Sequence, residues 1–183
     1  MRVWCRNVRG KEYDTGVVNN RKILIVYKNN MCVHRDRLKG GHMKIQINTL
    51  TADLFLELYT SVGWESPCRE QVECALQNTM ASFVAYEGEK AIGMVRLIGD
   101  GGMSFYIKDF AVLPECQGMG VGKLLIAELQ QYISEHIDKE WAVSLELIST
   151  KGAVNFYKAH GFEERPCEWD GPGMFKMIRN QKR

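Results

Sequence analysis

The sequence predicts a single α/β domain built on a mixed sheet, and three observations carry that prediction. Short stretches alternate apolar and polar residues, as strands buried on one face do. Elsewhere apolar residues return at helical spacing, most clearly along Val121, Leu124, Leu125, Leu129, Ile133 and Ile137. The two patterns interleave in the order β-αα-βββ-α-β-α-ββ, which calls for a sheet with helices laid against it. A chain of 183 residues is long enough to bury a real core.

Each element has its own local signal. Residues 43–48 alternate as a first strand, with Ile45 and Ile47 turned inward. Thr51 can cap a helix bearing Leu54, Phe55, Leu58, Tyr59 and Val62 on one face, with Asp53 near its positive end. Gly63, Ser66 and Pro67 interrupt it. Ser66 is then the expected cap of a second helix that has Pro67 at its first position and runs to about Thr79. Residues 81–86 and 90–98 read as a hairpin across Gly88, and residues 103–112 as the next strand. The long helix follows, then a strand over 142–148 and a short helix over 152–160. Two terminal strands are expected, over 162–168 and 174–178, joined by a turn at 170–173.

Composition is that of an ordinary soluble globule, with 45% hydrophobic and 25% charged residues and a net charge of +2. The charge is unevenly spread. Residues 1–42 hold ten Lys/Arg against three Asp/Glu, a net of +7, which leaves −5 for residues 43–183. The first 42 residues show no usable hydrophobic pattern. They are expected to be a poorly ordered, non-native leader, with the domain proper starting at Met43. A basic arm binding nucleic acid is the competing reading of Arg2, Arg6, Arg9, Arg21, Lys22, Arg35, Arg37 and Lys39. Its only apolar run, residues 23–27, is too short for a signal h-region or a membrane span. A cytoplasmic setting with reduced thiols is therefore expected, without membrane partners. None of the six cysteines forms a C-x-x-C pair, and Cys68 and Cys74 have no partnering histidines, so no metal is expected.

The chemistry concentrates after the strand over 103–112. Gly118, Gly120 and Gly122 leave bare backbone where a helix begins and presents its unpaired N–H groups. Aligned amides and the positive end of a helix both favour a phosphate or pyrophosphate. The dinucleotide fingerprint needs a third glycine where Lys123 stands, and no Gly-Lys-Ser or Gly-Lys-Thr completes a Walker loop.

What does stand there is Gln117-x-x-Gly120-x-Gly122, and later Asn155-Phe-Tyr-Lys-Ala-His-Gly-Phe162. The first resembles the pyrophosphate loop of the GNAT superfamily of acetyl-CoA-dependent N-acetyltransferases, Gln/Arg-x-x-Gly-x-Gly/Ala. The second resembles that family's late Phe-Tyr-x-x-x-Gly-Phe. The resemblance covers residues 43–178, and the Leu-Tyr-x-Ser-Val-Gly-Trp wording at residues 58–64 resembles a bacterial and plastid subgroup. It implies a mostly antiparallel sheet with a splayed parallel strand pair at the acetyl-CoA site. It also implies acetyl-CoA as donor, and direct transfer to a primary amine in a ternary complex.

By the same resemblance, Phe110, Ala111 and Val112 contact the donor through their backbone, with the Val112 N–H as the oxyanion donor. Gln117, Gly118, Met119, Gly120, Val121, Gly122 and Lys123 hold the pyrophosphate, and Phe156 lines the donor site. Tyr157 falls where relatives commonly place a general acid, and a phenol of pKa about 10 stays protonated at neutral pH. Without the motif, Tyr157 would read as a core tyrosine and 110–112 as plain buried strand. Thr150 stands where many relatives carry asparagine, and Cys116 where an aromatic is frequent. Asp109, Glu65, Glu115 and Glu146 are the carboxylates that could take the amine proton, and no pattern selects among them.

Acceptor choice in the family rests on the first two helices and the late loops. Here that means Tyr59 and Trp64, which would form an aromatic wall for an apolar amine or else plug the end of the domain, together with Trp169. A small-molecule amine is the expected acceptor. A peptide or protein acceptor, and an acyl-CoA-binding module without turnover, are the rivals. A homodimer is compatible with the family.

Overall fold

A computed structural model describes residues 5–6, 12–13, 34–38 and 41–178 of the chain, with side chains from residue 43 to residue 178. The chain divides into two compact units, Met1–Leu145 and Glu146–Arg183.

The first unit holds the sheet. Strands β1 (Cys5–Arg6) and β2 (Glu12–Tyr13) form a short antiparallel ladder of their own. The main sheet contains β3 (His34–Leu38), β4 (Gly41–Ile47), β5 (Ala81–Glu87), β6 (Lys90–Gly99), β7 (Ser104–Val112) and β8 (Ser144–Glu146), adjacent in that order. Neighbours from β3 to β7 are antiparallel. At β8 the sense changes. The Ser144 N–H donates to the Met103 carbonyl at 2.9 Å, which sets the start of β8 beside the start of β7 as a parallel neighbour. The helix α3 (Val121–His136) makes the crossover that parallel strands require. The predicted mixed and mostly antiparallel sheet with flanking helices is thus observed.

Alternation explains the burial. Ile45 and Ile47 of β4 are buried opposite Ala85 and Phe83 of β5. β6 is buried continuously from Ile92 to Leu97, as the central strand must be when both faces are covered. Leu125, Ile126 and Leu129 of α3 are fully buried, each adding roughly 1.5–3 kcal/mol of apolar transfer.

Helix α1 (Ala52–Ser61) is capped as its sequence predicts, the Thr51 hydroxyl accepting the Leu54 N–H at 3.3 Å. Helix α2 (Arg69–Gln77) starts later than expected. Its cap position is Cys68, while the Ser66 hydroxyl donates to the Pro67 carbonyl at 3.2 Å. Arg69, at the first position of α2, reaches Asp53 of α1 and Glu73 one turn on. The pair with Asp53 ties the two helices together where the sequence suggested a capping serine, while the pair with Glu73 lies within α2.

The β6–β7 turn is built around one carboxylate. Asp100 Oδ1 accepts the N–H of Met103 at 2.8 Å, of Gly102 at 2.9 Å and of Ser104 at 3.1 Å. These bonds hold its carboxyl down at about 2.

The second unit departs from the sequence prediction. Helix α4 (Val154–Lys158) follows a 3-10 turn over Lys151–Ala153, within the predicted helical stretch. Residues 162–168 and 174–178, expected to be strands, are not strands. The first of these carries Glu163, Glu164 and Arg165 in succession, and local ion pairs engage the last two. Lys158 pairs with Glu164, and Arg165 reaches Asp170 at 2.8 Å and Glu146 at 3.5 Å. Pro166 has no N–H for a ladder, and the Cys167 N–H turns back to the Asp170 carbonyl at 2.9 Å. Met174, Phe175 and Ile178 are exposed.

Most of residues 1–42, on which the expected leader and the basic arm both fall, lies outside the described residues.

Gly99 tests the tightness of the β6–β7 corner. A Cβ there would sit 2.7 Å from the Ser104 carbonyl oxygen and 2.9 Å from Phe105 Cδ1. Gly99→Ala is expected to lower stability by about 1–3 kcal/mol in a urea titration, the usual cost of overpacking.

Candidate active site

The site begins with a fault in the sheet. Arg96 pairs with Lys108 and Met94 with Ala111, so the single residue Val95 faces both Asp109 and Phe110. Strand β7 therefore carries one extra residue, a β-bulge. Asp109 takes the strain of it, with φ of +49° in the left-handed region. Beyond the bulge, Gly93 of β6 lets the strands approach closely, since a Cβ there would lie 3.0 Å from the Ala111 carbonyl. Phe110, Ala111 and Val112 are thereby set at the end of β7, past the irregularity.

A tight connection follows. The Leu113 N–H still donates to Ile92 at 2.9 Å, and Pro114–Cys116 form a 3-10 turn closed by Cys116 N–H on Leu113 at 2.8 Å. Lys90 and Glu115 pair at 3.0 Å on the surface. Cys116 is buried under the turn, and that burial pushes its thiol pKa up, which suits a packing residue better than a reactive thiolate.

Gln117 joins the loop to the strand. Its side-chain Nε2 donates to the Val112 carbonyl at 3.1 Å. Gly118 and Gly120 both adopt positive φ, +75° and +89°, which glycine tolerates without steric cost. Gly120 is the cap of α3 and offers no side chain to its first turn. The first helical bond runs from the Leu124 N–H to the Gly120 carbonyl at 3.0 Å. Earlier amides, those of Val121, Gly122 and Lys123, precede any intrahelical acceptor. There is no acidic residue in that first turn, and Lys123 is exposed at its rim. Val121 is buried and anchors the helix start. The arrangement can hold an anion: free amides, the positive end of a 16-residue helix and one lysine converge.

Tyr157 and Phe156 belong to the second unit, on α4. The Tyr157 ring meets Phe156 at 5.2 Å and Phe162 at 5.7 Å between centroids, both edge-on. Burial pushes its phenol up to about 12, so it carries its proton throughout the neutral range.

The candidate carboxylates separate by environment. Asp109 is buried against Arg96, Glu115 is held by Lys90, and Glu146 faces Arg165. Glu65 is exposed. The hydrogen bond to its own backbone N–H, with Lys90 second, keeps the Glu115 carboxyl below its usual range. Among the described residues, no three His, Cys, Asp or Glu side chains gather as metal ligands.

An aromatic ladder lies along α1 and its exit. Phe55 stacks on Tyr59 at 5.1 Å, and Tyr59 meets the edge of Trp64 at 4.8 Å. Burial, and then the Asp109 charge, push the Tyr59 phenol up. Sequence reading passed over Arg96, although a lone arginine within the apolar run of β6 was a visible signal of a buried charge awaiting a partner.

The model of the Acetyltransferase (GNAT) domain family matches residues 78–164. An uncharacterized N-acetyltransferase of Pyropia yezoensis, ycf52, is 32% identical over 124 residues, which cover 65% of this chain and 67% of that protein. Among solved structures, a probable acetyltransferase from meticillin-resistant Staphylococcus aureus is similar with a TM-score of 0.65 and 32% identity, over 74% of this chain and 99% of that one. A GNAT family acetyltransferase from Streptococcus pneumoniae is similar with a TM-score of 0.62 and 31% identity, over 75% and 99%.

Removing the Gln117 amide tests whether the loop depends on its tie to β7. Gln117→Ala is expected to weaken diphosphate-bearing ligands about 3–10-fold in calorimetry, the worth of one hydrogen bond, with little change in melting temperature.

Proposed function

The chain belongs to the GNAT family of N-acetyltransferases, and from that premise we propose that it moves an acetyl group from acetyl-CoA to a primary amine by direct transfer in a ternary complex. The observation that carries the reading is the glycine-capped start of α3, tied by Gln117 to the end of β7. It suits a diphosphate, because the amides are already aligned and no side chain occupies the cap.

Acetyl-CoA supplies the acetyl group as a thioester. The amides of Val121, Gly122 and Lys123, with Gly118, Met119 and Gly120 shaping the turn, bind the diphosphate. The backbone of Phe110, Ala111 and Val112 orients the rest of the donor, and the Val112 N–H stabilises charge on the carbonyl oxygen. Such preorganised donors are typically worth about 3–4 kcal/mol. Phe156 lines the donor site. The ammonium first loses one proton to water or a carboxylate; as the N–C bond forms and the C–S bond breaks, nitrogen loses a second proton to solvent, and Tyr157 gives one to the departing sulfur and regains it from solvent. Its raised pKa keeps that proton available.

The acceptor is a small amine with an apolar body, seated against Tyr59 and Trp64. Their ring contact at 4.8 Å supports an aromatic wall. The net charge of −5 over residues 43–183 favours a cationic acceptor. Residues 1–42 supply the edge strand β3 and the first two residues of β4, at the side of the sheet away from β7, and transfer is expected to proceed without them.

Calorimetry on the chain from Met43 to Arg183 tests the donor, with NADH and ATP as controls. Micromolar binding of acetyl-CoA alone is expected, and a folded chain that fails to bind it would remove the reading. Tyr157→Phe is expected to slow transfer about 10²-fold or more while leaving acetyl-CoA affinity nearly unchanged. The pH profile gives a second check. A group that must stay protonated loses its function as pH rises through its own pKa, so the alkaline limb set by Tyr157 should lie near 12. A tyrosine-dependent fall in kcat centred near pH 9 would contradict the assignment.

A further inference from the structure

Arg96 and Asp109 form the most deeply buried ion pair described in the first unit. Their side chains are 9% and 12% exposed, and both Nε and Nη2 of Arg96 lie 2.6 Å from the same Asp109 oxygen, Oδ2. The third nitrogen, Nη1, is also committed. Nη1 donates to the Ala75 carbonyl at 3.1 Å and to the Thr79 hydroxyl at 2.7 Å, and that hydroxyl in turn donates to Ala75 at 2.8 Å. The Phe55 ring lies 5.7 Å from the guanidinium carbon. One arginine of β6 therefore gathers α1, the end of α2 and β7.

Its partner is the strained residue of the sheet. Asp109 holds the left-handed φ of the β7 bulge, and Phe110, Ala111 and Val112 follow it directly. A bulge re-aims every amide after it. A non-glycine residue stays in the left-handed region only where its surroundings hold it there. The side chain of Asp109 is fixed by two charge-assisted bonds to a guanidinium that is itself fixed by two helices. That is a clamp on the backbone angle.

On the donor reading given above, we infer that the Arg96–Asp109 pair is the positioning device that aims the amides of Phe110, Ala111 and Val112 at the thioester arm of the donor. Asp109 is thus a positioning residue and not the base. Its Oδ2 is shared between two guanidinium N–H groups, and it acts through the strand it bends.

The inference separates the two ends of the donor. The diphosphate end is held by the start of α3, the thioester arm by β7. The probes are acetyl-CoA and 3′-phospho-ADP, the part of CoA without its arm. For Asp109→Asn, kcat is expected to fall about 10²-fold, the scale of a displacement near 1 Å at the reacting atoms. Acetyl-CoA should lose its affinity advantage over 3′-phospho-ADP, whose own binding stays within about twofold of the parent protein, less than one lost hydrogen bond. Arg96→Lys should retain more kcat than Arg96→Met, because the ammonium keeps the charge.

A folded Asp109→Asn protein with kcat and acetyl-CoA affinity unchanged would overturn the inference. So would equal weakening of both probes, which signals general damage. If Asp109→Asn does not fold, Arg96→Lys keeps a positive charge but removes the planar fork that holds Asp109 Oδ2. It should lower kcat in the same selective way, and no change there would equally overturn the inference. Failure of the underlying donor reading looks different, because the parent protein itself would then bind 3′-phospho-ADP and acetyl-CoA no better than ATP.

Discussion

A buried charge needs a partner, and in this protein that need shapes the sheet. Arg96 sits in a strand covered on both faces, where an unpaired guanidinium would be severely destabilising. Asp109 meets it from β7, and the strand reaches that position by carrying one residue more than its neighbour. The backbone strain of a left-handed aspartate costs roughly 1–2 kcal/mol. Breaking a buried pair by removing one member typically costs about 3–5 kcal/mol, so the pair outweighs the strain. The conformation of β7 downstream follows from this balance.

The rest of the site extends from the same strand. After Val112 the chain has a few residues in which to turn and start a helix, and the turn is closed at each step by a backbone bond or by Gln117. The groups proposed to act there are nearly all main chain. Side chains such as Val121 and Cys116 anchor the backbone from beneath, while glycines keep its outer surface bare. This division explains how an anion site can arise with one lysine at its rim: aligned peptide dipoles supply the field. Tyr157 illustrates the complementary case, a side chain whose protonation is set by burial among aromatic rings.

Family membership fixes the kind of chemistry and leaves the acceptor to local detail. The ladder of Phe55, Tyr59 and Trp64 is such a detail, because it presents ring faces and edges at the end of α1, near the charge of Asp109. Phe55 faces the guanidinium of Arg96, so the helix that would shape acceptor binding and the bulge that would shape donor binding share one arginine.

The sequence by itself determined the interleaving of strands and helices, the Thr51 cap, the buried stripe of α3 and the glycine loop. All of these are local: each depends on periodicity, capping or backbone freedom within a few residues. It also marked Gly120, through backbone freedom at a helix start, and Gln117, through resemblance to a family motif. The start of α2 and the fate of residues 162–178 were decided otherwise. Arg69 finds Asp53 sixteen residues away, and Glu164 and Arg165 find partners in place of a ladder. The Arg96–Asp109 clamp belongs with these. Both residues were visible, and Asp109 was even weighed as a base, but pairing across two strands with a one-residue shift of register leaves no periodic trace. Only the tertiary structure decides which buried charges meet, because the energy of that meeting depends on desolvation and distance and not on spacing along the chain.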